Sequence, residues 1–402
     1  MIIVLLAMMA GGCGEEGEKK DQNGGETISR SPNTPIVIPA GEPIVVGVSA
    51  ALTGPIGPRG LAIRDAVVVG VERWKAQNGH QIDNHLIEVY AEDDGCYERG
   101  CTGQAANRLF RQKGLVGVIG PECSSGAIEG IPIYADAGIV VISASATRSD
   151  LTINQPEPRF FFRTVYTNAA EGIMQARYVI SQLNAAKVCV IDDSEPYGND
   201  LADAAQTALE ESGVDVARKH IMAGAVDFSD IAAAVASDNP DAVIFEGYNP
   251  EGALLYRQLR DAGYEGAFVS GDAVASVPNF VVPLGEQSEG AVFAGITPDL
   301  PEEFVTDCIE ILGSQPATPF VAHVVDAVYI LLDAVVEVAE QEGDSLVIDP
   351  LELREAVSNP KLLVGLSGVI AFDDNGDRVG NAGTIGLNMG EVRNSEIVPL
   401  TW

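Results

Sequence analysis

Short apolar runs alternate with longer amphipathic segments in the first part of the chain. The apolar runs cover residues 44–49, 86–91, 116–119, 139–142 and 160–163. The segments between the first four, residues 61–78, 103–113 and 127–137, carry apolar side chains at helical spacing, such as Ala62, Ala66 and Val69. Apolar strands separated by amphipathic helices are typical of a parallel sheet covered by helices on both faces. This part of the chain therefore predicts an α/β lobe.

The same alternation returns later and predicts a second α/β lobe of similar size. Strand-like runs lie at residues 188–191, 219–222, 242–246 and 267–270, with helical segments at 169–183, 198–212, 228–236 and 250–262. Further helices are predicted at 301–312, 320–340 and 350–357. The fold class predicted is α/β, with two doubly wound lobes and largely parallel sheets.

A strand-like run at residues 369–372 leads into the acidic turn 373–377, which looks like part of a calcium loop. Such a loop needs a bidentate glutamate at its twelfth position, and counting from Asp373 that position is Thr384. We therefore predict a β-turn at this place, and no metal site.

Two polar loops follow two of the strands in the first lobe. Residues 120–126 read GPECSSG and residues 143–147 read SASAT, and a helical segment follows each loop. Because the carboxyl ends of parallel strands meet at one edge of a sheet, the hydroxyl groups and free helix amides of both loops should converge on an anion there. The alternative is that Ser124, Ser125 and Thr147 are ordinary helix N-caps, and the loops alone do not decide between these interpretations.

The amino terminus has the features of a lipoprotein signal peptide over residues 1–12. An apolar run at residues 2–9, too short to span a bilayer, precedes Ala10, Gly11, Gly12 and Cys13. Cleavage before Cys13 would leave this cysteine as the lipidated first residue. Residues 13–43, rich in Gly, Glu, Asn, Ser and Pro, predict a disordered tether between the lipid anchor and the folded body.

The charge of the chain excludes one class of partner. With 58 acidic and 24 basic residues, the formal net charge is −34, which argues against nucleic acid or an anionic membrane surface as a partner. No later segment is a membrane span, because the most apolar one, residues 321–338, carries His323, Asp326, Asp333 and Glu337. Apart from Cys13 there are five cysteines, so at least one thiol is free, and no cysteine pair has metal-ligand spacing.

Several motifs occur in an order that resembles the leucine/isoleucine/valine-binding protein family of the type I periplasmic-binding fold. They are DDGCYERGC from residue 93, VIGPECSSG from 118 and VVISASAT from 140, together with SAALTGP from 49, DDSEPYG from 192 and FEGYNPE from 245. The resemblance covers residues 44–402. It implies a bilobed protein whose lobes close over a ligand, with the chain crossing the hinge near Thr164, Ala294 and Ala382. Lobe 1 would comprise residues 44–164 and 294–382, and lobe 2 residues 165–293 and 383–402.

The resemblance also implies roles for individual residues. The positions matching Ser124 and Thr147 hold a ligand carboxylate, and the one matching Ser145 adds main-chain contacts. Asp272 stands where members carry an acid that pairs with the ligand ammonium group. Tyr248 is implied to close over that ammonium group, and Tyr197 to line the cleft. Cys96 and Cys123 are implied to form a disulfide that braces the Ser124 loop.

Arg59 departs from the family pattern, since members that bind aliphatic side chains often carry an aromatic residue at this position. A guanidinium here favours a ligand with a polar or acidic side chain, and replacing Arg59 by alanine is expected to lower affinity. Phe320 is expected to supply an apolar wall. The resemblance implies that the chain is the extracytoplasmic substrate-binding component of an amino acid ABC transporter, with permease and ATPase subunits as partners. We expect a monomer that is held to a membrane only by its lipid.

Other functions have weaker support in the sequence. The chain lacks GxSxG and GxxxxGK[ST], and its histidines (His80, His85, His220 and His323) lie outside the motif loops, so we expect neither an enzyme nor a cofactor. A ligand-sensing receptor module, or a binder of an amide or urea-like compound, would share the fold. The retained Ser124, Thr147 and Asp272 favour an amino acid over an amide.

Overall fold

The computed structural model describes residues 28–402 except 154, 297–299, 316–317, 363 and 382–383. The predicted signal peptide, Cys13 and the hinge crossing near Ala382 lie outside the described residues. Two separate sheets, each flanked by helices, form the two lobes. The mixed α/β fold with largely parallel sheets is the one that the sequence predicted.

The sheet of the first lobe has six strands in the order β3-β4-β2-β5-β6-β7. These are β2 (Ile44–Ala50), β3 (Gln81–Ile82), β4 (His85–Asp93), β5 (Leu115–Ile119), β6 (Val140–Ser143) and β7 (Phe161–Arg163). All pairings are parallel except the short β3–β4 pair. The first-lobe helices are α1 (Gly57–Asn78), α2 (Cys101–Leu109), α3 (Ser124–Asp136), α9 (Glu302–Leu312), α10 (Val321–Val338) and α11 (Pro350–Ser358).

The sheet of the second lobe has seven strands in the order β18-β17-β12-β11-β10-β8-β9. They are β8 (Lys187–Asp192), β9 (Asp215–His220), β10 (Ala242–Glu246), β11 (Ala267–Ser270), β12 (Val292–Ala294), β17 (Met389–Arg393) and β18 (Glu396–Pro399), of which β17 and β18 pair antiparallel. The helices are α4 (Asn168–Ser181), α5 (Pro196–Glu211), α6 (Ser229–Asp238), α7 (Glu251–Asp261) and the short α8 (Val282–Leu284). A π-helix (Val277–Val281) and a 3-10 helix (Gly285–Ser288) flank α8.

Two small sheets complete the described structure. One joins β1 (Ile36–Ile38), β14 (Ser345–Ile348) and β13 (Glu340–Glu342), and the other joins β15 (Val364–Gly365) and β16 (Gly368–Val369). At the acidic turn, the Gly376 main-chain N–H donates to the Asp373 carbonyl over 3.0 Å, as expected of a β-turn.

The second half of the predicted tether is ordered, which corrects the prediction over residues 28–43. β1 pairs antiparallel with β14, and both Ile36 and Ile38 are buried in the core of the first lobe. Ahead of β1, the guanidinium of Arg30 donates to the carbonyls of Phe110 (3.2 Å) and Leu115 (3.3 Å). Paired strand groups and buried apolar side chains stabilise a fixed conformation, so this segment belongs to the folded body.

One strand was predicted out of place. β9 spans Asp215–His220 and not residues 219–222. β9 is an edge strand, and its register on β8 sets His220 opposite Asp192, with Arg218 and His220 both bonded to that carboxylate. The charged side chains of β9 interrupt the apolar alternation by which a strand is recognised in a sequence, and charged residues are common on edge strands.

Candidate functional site

The candidate site lies where the carboxyl ends of both parallel sheets face each other. From the first lobe it receives the loops that follow β5 and β6, and from the second lobe those that follow β8, β10 and β11. The lobes are in contact there: the Arg148 guanidinium donates to the Pro196 carbonyl over 3.0 Å, and the Ser149 N–H donates to Asp200 over 2.8 Å. Ligands bind α/β folds at this edge, so the position alone makes it the candidate site.

The two polar loops do converge, and they are bonded to each other. Ser143 Oγ donates to the Pro121 carbonyl and Ser145 Oγ donates to the Glu122 carbonyl, each over 2.8 Å. At the start of the first loop, Gly120 packs against β2: its φ is +129°, and a Cβ there would lie 2.2 Å from the Ser49 carbonyl oxygen. The hydroxyl of Ser145 is therefore occupied within the protein.

The N-cap interpretation of these loops is wrong. Ser124 is the first residue of α3, whose cap position is Cys123, and α4 is capped by Thr167, whose side chain accepts from Ala170. Ser124 Oγ instead accepts from the Arg148 N–H over 3.2 Å, which leaves its own hydrogen able to donate. Thr147 is fully buried, and among the described residues its Oγ1 has no hydrogen-bond partner.

A disulfide joins Cys96 to Cys123, and so ties the loop after β4 to the loop that precedes Ser124. The remaining free thiols of the described part of the chain, Cys189 and Cys308, are buried away from the cleft.

Asp272 is the centre of the second-lobe side of the site. It is buried, and its two carboxylate oxygens accept from the hydroxyls of Tyr197 (2.9 Å) and Tyr166 (3.2 Å). Its own N–H donates to Glu171 Oε1 over 3.0 Å. Burial raises the pKa of Asp272, whereas Arg59 and the two tyrosine hydroxyls oppose that rise. The ring of Tyr248 packs against that of Tyr197, with 5.1 Å between the two ring centroids.

Arg59 does not face the cleft as an unpaired cation. Its Nε lies 3.0 Å from Oε1 of Glu122, which is fully buried, and its guanidinium packs on the rings of Tyr248 (5.6 Å) and Phe320 (5.2 Å). Burial disfavours the charge of Arg59, but Glu122 and Asp272 outweigh that effect and raise its pKa. Burial raises the pKa of Glu122 to about 8 although Arg59 opposes that rise, so Glu122 compensates Arg59 most fully above that pH. Together with Asp272, which also acts on Arg59, it weakens the sequence argument for an acidic ligand.

A cavity of about 250 Å³ lies between the lobes beside Asp272, Arg59 and Tyr248. Most of its remaining lining is apolar or uncharged: Pro55, Ile56, Pro58, Asn249, Pro250, Ala273, Ala275, Ser276, Pro278, Asn279, Pro283 and Pro319. Of the predicted site residues, Arg59, Tyr248 and Asp272 line this cavity, whereas Ser124, Ser145, Thr147, Tyr197 and Phe320 do not.

Three residues of the site went unnoticed in the sequence: Glu122, Tyr166 and Glu171. For Glu171 a signal exists. Asn168, Glu171 and Gln175 follow helical spacing on the face of α4 that also buries Gly172 and Val179. Polar side chains on the buried face of a helix require partners, and they mark a functional or structural network.

Two α/β lobes that meet over a cavity with charged and hydroxyl groups define a protein that encloses a small ligand. The chain belongs to the periplasmic binding protein family, whose sequence profile matches residues 43–385. Members of this family bind solutes for transport, so the chain is a binding protein and not an enzyme. Within the described residues, no helix has the length and hydropathy needed to cross a membrane.

Known relatives support this assignment. The Leu/Ile/Val-binding protein homolog 3 of Brucella melitensis is 27% identical over 337 residues, 83% of this chain and 88% of that protein. A leucine-binding protein from Thermotoga maritima has a TM-score of 0.76 at 24% identity, covering 89% of this chain and 98% of the other. A branched-chain amino acid substrate-binding protein from Streptococcus pneumoniae, solved with isoleucine, has a TM-score of 0.77 at 22% identity, covering 89% and 99%.

Proposed function

We propose that the protein is the extracytoplasmic substrate-binding component of an ABC transporter and that it encloses an amino acid with a neutral side chain. The observation that carries the proposal is the polar groups that both lobes supply at the carboxyl edges of their sheets. The first lobe supplies Ser124 Oγ and the unbonded Thr147 Oγ1, and the second supplies the buried carboxylate of Asp272. Hydroxyl donors on one lobe and a carboxylate on the other would suit the carboxylate and the ammonium group of a zwitterion.

The side chain of the ligand would occupy the cavity beside Asp272. Its lining is rich in proline, alanine and isoleucine, and its one cation, Arg59, is paired with Glu122. An acidic side chain would therefore find no uncompensated positive charge among the described lining residues. The names of the relatives, which bind leucine, isoleucine or valine, agree with a neutral ligand.

A thermal-shift screen of the twenty amino acids, with acetamide and urea as comparison compounds, tests this proposal. A ligand present at 100 times its Kd adds about 2.7 kcal/mol to the free energy of unfolding, which is easily measured. Neutral amino acids should raise the Tm, and aspartate and glutamate should raise it less. Stabilisation by the amides alone, or by none of these compounds, would contradict the proposal.

The partners follow from the proposed function: permease subunits would receive the bound solute, and ATPase subunits would drive its transport. We propose that the protein acts as a monomer. A lipid on Cys13 would hold it at the membrane surface. Mass spectrometry of the amino-terminal peptide from the native membrane fraction tests the anchor, since an unmodified Cys13 would exclude it.

A further inference from the structure

Glu171 is a fully buried acid that accepts a hydrogen bond from the main chain of Asp272. It sits in the first turn of α4 and is fully buried. Oε1 accepts the Asp272 N–H, while Oε2 has no hydrogen-bond partner among the described residues. No ion pair of Glu171 with a Lys or Arg is found in the described part of the chain, so its charge is not compensated locally.

Acids outnumber cations around Glu171. Glu246, at the end of β10, is fully buried, and its charge, like that of Asp272, raises the pKa of Glu171. Three further titratable groups face Glu171 and Asp272. They are the phenol of Tyr166, between β7 and α4, the phenol of Tyr197 on α5 and the guanidinium of Arg59 on α1. Since Arg59 is also paired with Glu122, this region has an excess of negative charge whenever both Glu171 and Asp272 ionise.

Two adjacent carboxyl groups in a dry site do not both ionise easily, and such a pair holds one proton between its members. Burial is the largest cause that raises the pKa of Glu171, followed by the charges of Asp272 and Glu246. Asp272 is the stronger acid of the pair, because Arg59 and two tyrosine hydroxyls stabilise its carboxylate, whereas no cation among the described residues does so for Glu171. These contacts favour the proton on Glu171.

We propose that Glu171 is a positioning residue that carries this proton in the ligand-free protein and releases it to solvent when an ammonium group binds at Asp272. The inference rests on the proposed function. The charges balance: one ammonium, one neutral acid and one carboxylate become one ammonium, two carboxylates and one proton in solution. A cation beside the pair favours ionisation, so ligand affinity should rise with pH.

Calorimetric titration with L-leucine, or with the amino acid that stabilises most in the screen, measures this proton directly. Binding heats at one pH in buffers of different ionisation enthalpy give the number of protons released. Between pH 5 and 7, where the ligand ammonium stays charged, the wild-type protein should release up to one proton per ligand. Its affinity should rise by as much as about tenfold per pH unit.

The variant Glu171→Gln separates a proton-carrying role from a structural one. Its amide oxygen can still accept the Asp272 N–H, so the loop should remain in place, but it holds no titratable proton. It should bind without proton release and with an affinity that does not change over this pH range. Glu251→Gln is the matched control: Glu251 is also a buried glutamate in the first turn of a helix, and it accepts the Gly224 N–H. It should release protons as the wild type does.

Two results would overturn the inference: ligand binding by the wild type without proton release, or equal proton release by Glu171→Gln. In either case the proposed function still stands, because a ligand has bound. The ligand-free protein gives an independent reading, since the infrared difference spectrum between wild type and Glu171→Gln at neutral pH should contain the carbonyl stretch of a protonated carboxyl group. That band is expected even if no amino acid binds, and its absence would contradict a protonated Glu171.

Discussion

Thr147 offers the cleanest residue-level test of the carboxylate site. It is fully buried, and no described residue bonds to its Oγ1. Thr147→Val keeps the shape and removes only the hydroxyl. A hydrogen bond to a charged group contributes about 1.5–3 kcal/mol, so affinity for the amino acid should fall about 10-fold or more. Unfolding of the ligand-free variant by urea should show unchanged or higher stability, because an unpaired buried hydroxyl has been removed.

Ser145→Ala is the control for this prediction. Ser145 Oγ already donates to the Glu122 carbonyl, so its loss should cost about 1 kcal/mol of folding stability without removing a ligand contact of the side chain. If Thr147→Val binds as tightly as the wild type, the hydroxyl is not part of the ligand site.

The pairing of Glu122 with Arg59 is expected to set the charge preference of the cavity. Arg59→Ala is a poor test, since it would leave Glu122 buried without its cation. Glu122→Gln instead removes the negative charge, and its amide oxygen can still accept the Ala51 N–H. With less negative charge beside Arg59, affinity for aspartate and glutamate should rise about tenfold relative to neutral amino acids. Calorimetry at about pH 9 measures this, because burial raises the pKa of Glu122 to about 8 and the wild-type carboxyl is ionised above that value.

Glu92→Gln is the matched control for Glu122→Gln, because Glu92 is a buried partner of Arg108 in the same lobe and does not line the cavity. It should leave the ligand preference unchanged. An unaltered preference in Glu122→Gln as well would mean that Glu122 does not neutralise Arg59 towards the ligand.

At the residue scale, the sequence predicted which loops meet but not how their polar atoms are used. The convergence of residues 120–126 with residues 143–147 follows from two neighbouring parallel strands, which a pattern of apolar runs reveals. The pairing of Arg59 with Glu122 joins α1 to the loop after β5, and no local pattern announces such a contact. The contact is visible only in the folded structure, where the carboxylate of Glu122 lies beside the guanidinium of Arg59.

Among the elements, the amino-terminal segment makes the most testable contribution. β1 buries Ile36 and Ile38, and fully burying one such side chain contributes about 1.5–3 kcal/mol. A chain that begins at Gly41 should therefore lose several kcal/mol of stability, as measured by urea unfolding, relative to one that begins at Ile28. Equal stability of the two would show that β1 and Arg30 are not part of the cooperative fold.

Prediction of the elements succeeded where the hydrophobic pattern is continuous and failed where it is short. The buried strands β2, β5 and β10 are mostly apolar runs, and the sequence places them within one or two residues. β1 has three residues, and its partner β14 lies near the other end of the sequence. A short run between prolines has no periodicity of its own, so only its distant partner makes it a strand.

At the scale of the whole molecule, negative charge is both abundant and buried. The net charge of −34 makes the surface self-repelling, and salt screens this effect. Burial also raises the pKa of several enclosed acids, to about 6 for Asp94 and about 7 for Asp193. Both effects make the folded state favour protons, which opposes the common rule that stability increases when carboxyl groups ionise.

The stability of the ligand-free protein should therefore increase as the pH is lowered from 8 to 6.5. An acid whose pKa is raised by folding stabilises the fold while it is protonated, and that stability is lost as the pH rises through the folded-state value. Below pH 6.5, His323 acts in the opposite direction, because burial lowers its pKa to about 3 and the unfolded state then gains a proton that the fold excludes. Thermal unfolding in high salt isolates the buried groups, since salt screens the surface charges much more strongly.

Asp193→Asn identifies the contribution of one buried acid to this pH dependence. The carboxyl group of Asp193 packs against the main chain of Gly198 and Gly247, and among the described residues its Oδ2 has no hydrogen-bond partner. The variant should raise the Tm more at pH 8 than at pH 5, because burial raises the pKa of Asp193 to about 7 and the preference of the unfolded state for the ionised acid grows over this pH range. The exposed Asp215, replaced in the same way, should shift the Tm equally at both pH values. A higher Tm for the wild type at pH 8 than at pH 6.5, or a pH-independent effect of Asp193→Asn, would show that the buried acids do not govern the stability of this protein.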